Sequence, residues 1–276
     1  MTPLVSVSWL RERLGTPQLR VVDATYYLPN EAKDAAALFA AGHIPGAGFF
    51  DIDAVAETSS GLPHMLPSPE VFAAAVGALG IGNASQVVVY DQRGVFSSAR
   101  LWWMFQVFGH DAVAVLDGGL PAWREAGSPL ETGPATSVPA RFTVDFRPHL
   151  VRSLAQMRDN VEHRRELVLD ARAAGRFDGS VPEPRPGMRS GHIPGARSLP
   201  FTALLENQHF LPPAQLAETF AAAGVTPGTP VVTSCGSGVT AAVLTLGMVL
   251  AGLQQGSLYD GSWSEWGARA DTPVEV

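Results

Sequence analysis

The run Val231-Val232-Thr233-Ser234-Cys235-Gly236-Ser237-Gly238-Val239-Thr240, followed by the apolar stretch Ala241–Leu250, reads as a strand, a tight loop and a buried helix. The first four residues are short, apolar and β-branched enough for a buried strand. Gly252 marks the end of the helix. This order sets Cys235, the one cysteine of the chain, at a helix N-terminus. There the N–H groups of the first turn stabilise negative charge. Gly236 and Gly238 let the loop backbone close around the sulfur without Cβ clashes. Such surroundings favour a thiolate, so Cys235 is expected to be an anionic nucleophile. A lone cysteine after a strand also reads as a small buried hydrophobe. Two glycines and two hydroxyls in the loop weigh against mere core filling.

Working outward, strand-like runs occupy residues 19–23, 86–91 and 113–117. Helical patterns lie between them at 34–41, at 68–79 with Ser68 as N-cap and Pro69 first in the helix, and at 98–108. The alternation predicts an α/β fold with a mainly parallel sheet flanked by helices. Pro129, Pro134, Pro139 and Pro148 then punctuate a segment without helical periodicity. The expected division is a first domain over 1–135, a linker over 136–150 and a second domain over 151–276.

The second half repeats the first. His43-Ile44-Pro45-Gly46-Ala47 recurs as His192-Ile193-Pro194-Gly195-Ala196, Val22-Asp23-Ala24 as Leu169-Asp170-Ala171, and Asp117-Gly118 as Asp260-Gly261. Trp123 returns as Trp266. A period this long is a duplicated domain, not a solenoid of short units. Aligning the copies sets Val87-Val88-Val89-Tyr90-Asp91 against Val231-Val232-Thr233-Ser234-Cys235. Where the second copy has a thiol, the first has Asp91. His43 and His192 occur in both copies, with and without the thiol, so they are assigned to structure.

Composition narrows the functional classes. With 46% hydrophobic and 16% charged residues, the 276-residue chain is globular and long enough for two cores. One cysteine excludes an intrachain disulfide, and the N-terminal residues lack the pattern of a signal peptide. A cytoplasmic protein is expected. A net charge of −7 without a basic run argues against nucleic acid or an anionic membrane as partner. The apolar helix is too short to span a bilayer. The histidines show no ligand spacing and no glycine pattern cradles a nucleotide, so neither metal nor cofactor is expected.

The tandem HIPGA-bearing copies, with cysteine in the second alone, resemble the two-domain rhodanese (sulfurtransferase) family over nearly the whole chain. The loop Cys235–Thr240 resembles that of the 3-mercaptopyruvate sulfurtransferases; thiosulfate sulfurtransferases carry two basic residues where Gly236 and Ser237 stand here. The resemblance implies a tandem pair of rhodanese-like domains and a small-molecule sulfur donor. Cys235 would take sulfur from 3-mercaptopyruvate, release pyruvate, and pass the sulfur to a thiol such as thioredoxin, or to cyanide. It further implies that Gly236, Gly238, Val239 and Thr240 bind substrate, and that Arg176 and Arg185 hold the donor carboxylate. Ser237, His64 and Asp53 would form a proton-transfer group, the last two supplied by the first domain. Read without the resemblance, the arginines are also compatible with solvated surface charge, and His64 and Asp53 with ordinary turn residues.

Three other readings are weighed. A thiosulfate sulfurtransferase would handle a dianion, to which a loop without Lys or Arg offers little complementarity. A persulfide carrier fed by a protein partner would not need two carboxylate-binding arginines. A cysteine phosphatase loop would end in a phosphate-holding Arg, whereas Thr240 and Ala241 follow Val239 here.

Overall fold

A strand apolar along its whole length must be covered on both faces, and parallel sheets flanked by helices do this. A computed structural model describes residues 1–276. Two compact units emerge. One comprises Met1–Glu57, Leu66–Arg147 and Asn207–Phe210, the other Thr58–Met65, Pro148–Glu206 and Leu211–Val276.

The first unit runs β1 (Leu4–Val5), α1 (Val7–Arg13), β2 (Leu19–Asp23), α2 (Ala35–Ala41), β3 (Gly48–Phe49), α3 (Pro69–Ala78), β4 (Gln86–Tyr90), α4 (Ser98–Val107), β5 (Val113–Leu116) and α5 (Gly119–Glu125). Its five strands are parallel in the order β1-β5-β4-β2-β3. Val87, Val88 and Val89 at its centre are fully buried, each contributing roughly 1.5–3 kcal/mol. Helix starts follow local chemistry. The Asp34 carboxylate accepts the Ala37 N–H at 2.9 Å, and Ser68 Oγ accepts the Val71 N–H ahead of Pro69. The strands expected over 86–91 and 113–117 end one residue early, at Tyr90 and Leu116. Past those ends the Asp91 carboxylate accepts N–H groups of its own loop, and that of Asp117 accepts the Phe210 N–H at 3.0 Å.

The second unit contains β6 (Val151–Arg152), α6 (Leu154–His163), β7 (Leu167–Asp170), α7 (Ala174–Phe177), β8 (Arg197–Ser198) and β9 (Leu205–Glu206). After β10 (His209–Phe210), which groups with the first unit, come α8 (Pro213–Ala222), β11 (Val231–Ser234), α9 (Ala241–Leu250), β12 (Ser257–Tyr259) and α10 (Ser262–Trp266). Its five-stranded sheet is parallel in the order β6-β12-β11-β7-β8, the same topology as the first. Register confirms the duplication. Asp23 pairs with Tyr90 in one sheet and Asp170 with Ser234 in the other, so Asp91 and Cys235 leave their sheets at equivalent points.

The repeated histidines are structural in both copies. Each stacks on a phenylalanine, His43 on Phe39 at 4.0 Å and His192 on Phe177 at 3.8 Å, and bonds that residue's carbonyl through Nδ1 at 2.9 Å. Each also pairs by backbone with a glutamate, Glu131 or Glu275, whose carboxylate caps the Gly46 or Gly195 N–H. Both glycines sit at φ +74°, the left-handed turn that only glycine adopts freely. No helix is long and apolar enough to cross a membrane.

Candidate active site

Cys235 is the first residue past β11 and is buried. Its backbone is clamped by the start of α10. The Cys235 N–H donates to Ser262 Oγ at 3.2 Å, and its carbonyl accepts the Trp263 N–H at 2.9 Å. The next carbonyl, Gly236 O, accepts both the N–H and the Oγ–H of Ser264, at 2.8 and 2.7 Å. Ser262 adopts φ +49°, a left-handed conformation costly for a residue with a Cβ. Its hydroxyl donates to the Tyr259 carbonyl at 2.8 Å while accepting from Cys235. Gly238 turns the loop at φ +76°. Thr240 then precedes α9 without a side-chain capping bond, and the helix residues from Ala241 to Met248 are all buried. The loop thus leads into a desolvated helix N-terminus, which favours an anion.

Four charged side chains run from the sheet to this loop. Asp170, last in β7, binds the buried Arg172 through Nε at 3.0 Å and Nη2 at 2.7 Å. Arg172 also donates to the Gly191 carbonyl at 2.8 Å and stacks 4.4 Å from the Trp263 ring. Its Nη1 reaches Glu183 Oε1 at 2.7 Å. Glu183, with a side chain 1% exposed, then grips Arg176 of α7, taking Nε at 3.1 Å on Oε1 and Nη2 on Oε2. Burial works against the charge of Arg172, but Asp170 and Glu183 outweigh it and hold the guanidinium above its usual pKa. A Cβ on Gly236 would lie 3.0 Å from Arg176 Nη2, so the guanidinium rests directly against the loop. Arg185, half-buried, places Nη2 3.2 Å from Nε2 of the buried His64, itself at φ +61°.

Of the residues expected from sequence, Cys235, Gly236, Ser237, Gly238, Val239 and Thr240 form one loop, nearly all of it buried. Arg176 lies against it, and Arg185 meets His64 in the segment grouped with the second unit. Asp53 belongs to the first unit, exposed in the turn after β3, where its N–H donates to Asp51 Oδ1 at 2.8 Å. Sequence reasoning missed Arg172, Glu183, Ser262 and Ser264 as parts of the site. A signal existed for two of them. Two residues past the repeated aspartate the first copy has Thr25 and the second Arg172, and where the first has Gly119 the second has Ser262.

The first copy carries a loop at the equivalent place, one residue longer, with its centre filled. The Asp91 carboxylate accepts the N–H groups of Phe96, Ser97 and Ser98 on one oxygen and that of Arg93 on the other, at 2.8–3.0 Å. Its carbonyl accepts the Leu120 N–H at 2.9 Å, as Cys235 accepts that of Trp263.

Residues 6–126 and 151–269 each match the rhodanese-like domain. The chain is 43% identical to 3-mercaptopyruvate sulfurtransferase of Homo sapiens, over 97% of this chain and 92% of the human protein. It is also 43% identical to thiosulfate/3-mercaptopyruvate sulfurtransferase 1, mitochondrial, of Arabidopsis thaliana, over 99% and 78%. Among solved structures, SseA from Escherichia coli, a 3-mercaptopyruvate sulfurtransferase, superposes with a TM-score of 0.87 at 37% identity. That match covers 95% of this chain and 99% of SseA.

Proposed function

Because this chain belongs to the rhodanese family, with a rhodanese-like domain in each half, we propose that it is a sulfurtransferase taking sulfur from 3-mercaptopyruvate through a persulfide on Cys235. One observation carries the reading. A loop without Lys or Arg holds the buried Cys235 ahead of α9, and the Arg176 guanidinium lies against its Gly236.

The Cys235 thiolate attacks the donor sulfur. An S–S bond forms as the C–S bond breaks, and the electron pair passes into the enolate of pyruvate. The donor's thiol proton ends on that carbon, so thiolate and mercaptopyruvate become persulfide anion and pyruvate. An acceptor thiolate or cyanide then attacks the outer sulfur and Cys235 departs as thiolate. Two half-reactions of this kind give ping-pong kinetics. Arg176 and Arg185 take the donor carboxylate, for which a planar guanidinium is suited. Backbone N–H groups from Gly236, Gly238, Val239 and Thr240 hold the outer sulfur. Ser237, His64 and Asp53 carry the proton to the enolate. Thioredoxin or another thiol serves as physiological acceptor with cyanide as a substitute, in a cytoplasmic setting.

The test compares initial rates with 3-mercaptopyruvate and thiosulfate as donors and cyanide as acceptor, with intact mass recorded after donor alone. Preference for mercaptopyruvate, with one added sulfur that Cys235→Ser loses, is the expected result. Preference for thiosulfate would overturn the donor assignment. Transfer surviving in Cys235→Ser would remove that residue from the chemistry.

A further inference from the structure

We propose that Glu183 is a positioning residue for donor binding, aiming Arg176 at the substrate carboxylate, with Arg172 and Asp170 as its anchor in the sheet. The inference rests on the reading of Arg176 as a carboxylate ligand and deepens it. Glu183 occupies the Nε and Nη2 edge of Arg176. That turns the adjacent terminal edge, Nη1 and the second N–H of Nη2, toward the loop, where these nitrogens stand 3.9 and 3.0 Å from the place of a Cβ on Gly236. An edge with two parallel N–H groups is the one that binds a carboxylate bidentately.

Glu183 could not set that angle if it were itself mobile. Its Oε1 is held by Arg172 Nη1 at 2.7 Å, and Arg172 is fixed by the β7 carboxylate, the Gly191 carbonyl and the face of Trp263. Asp170, Arg172 and Glu183 are buried to 2% exposure or less at the side chain, whereas Arg176 is 23% exposed. The charges alternate from sheet to loop, so each buried ion has an opposite neighbour. A long flexible side chain is thereby held in one orientation before substrate arrives, which lowers the ordering cost of binding.

Glu183→Gln separates this role from simple support. Its amide oxygen can still accept from Arg172, but its NH₂ faces Arg176 donor to donor and breaks the fork. The measurements are single-turnover persulfide formation from 3-mercaptopyruvate, single-turnover discharge by cyanide, and thermal melting, on wild type, Glu183→Gln, Arg176→Lys and the double variant. The expected result is a loss on the order of tenfold in loading, expressed as weaker donor binding, with cyanide discharge unchanged. The double variant should load no more slowly than Arg176→Lys alone, since Glu183 acts through Arg176. Unchanged loading in Glu183→Gln, additive losses in the double variant, or equal losses in both half-reactions would each overturn the proposal while leaving the donor assignment standing. A wild type that mercaptopyruvate does not load would overturn the donor assignment and this inference with it.

Discussion

After β4, three consecutive N–H groups converge on one oxygen of Asp91; after β11, the equivalent place holds Cys235. The neighbouring positions differ in the same sense. Asp23 meets the neutral side chains of Thr25, Gln92 and Tyr90, and its pKa is raised by burial, with the charge of Asp91 adding to the effect. Its counterpart Asp170 meets the Arg172 guanidinium. One fold therefore places a strand, a loop and a helix N-terminus at the same point twice, with residues 92–97 between Asp91 and α4 and residues 236–240 between Cys235 and α9. In the first copy a resident carboxylate occupies it beside a second acid. In the second copy a thiol stands there, with the Arg176 guanidinium against the next residue of the loop. The strand–loop–helix thus belongs to the fold, and the two copies diverge in the side chains set around it.

The largest effect is expected from Cys235→Asp, which sets the first loop's acid at the equivalent point of the second. Transfer should fall to background, measured with mercaptopyruvate and cyanide. The melting temperature should rise if the loop donors reach the carboxylate as they do in the first copy. A lower melting temperature would mean that the shorter second loop does not present them. Next in size is Asp91→Asn, which removes charge-assisted bonds from the first loop and should cost about 2 kcal/mol in urea unfolding. A cost near zero would mean that this loop gains nothing from an anion. A smaller effect is expected from Gly236→Ala, whose Cβ would press on Arg176 Nη2 at 3.0 Å. Loading by mercaptopyruvate should weaken severalfold while cyanide discharge stays constant; loss of both would point to a distorted loop instead.

The mildest test is the pH dependence of Asp23→Asn. With its folded pKa raised, Asp23 binds its proton more tightly in the folded than in the unfolded state. Its contribution is thus present below the ordinary aspartate value of 3.8 and is lost as pH rises through the raised value. An asparagine, neutral throughout, should raise the melting temperature at pH 7, and the gain should vanish on acidification past 3.8. A gain that persists unchanged in acid would assign the effect to packing.

The local grammar of the chain is legible in its residues. Ser68-Pro69 marks a helix start, the valines at 87–89 a buried strand, and the repeat of HIPGA a second domain of the same kind. The two-residue strands β1 and β6 escape such a reading because two residues carry no periodicity. At the site, Cys235, Arg176 and Arg185 stand out through the asymmetry of the copies and the resemblance to a family. Glu183 lies in the same proline-rich segment as Arg185, yet nothing in Pro182-Glu183-Pro184 tells that its carboxylate is buried between two arginines.

By itself the sequence determined the fold class and the strand–loop–helix around Cys235, because these rest on periodicity among neighbouring residues, and the duplication, because short motifs recur in the same order in both halves. Only the tertiary structure decided how Arg176 faces the loop and how Ser262 and Ser264 grip Cys235 and Gly236. Those contacts join segments brought together by the strand order β12-β11-β7. The direction of a hydrogen bond or an ion pair is set by that register in space, which no separation along the chain encodes.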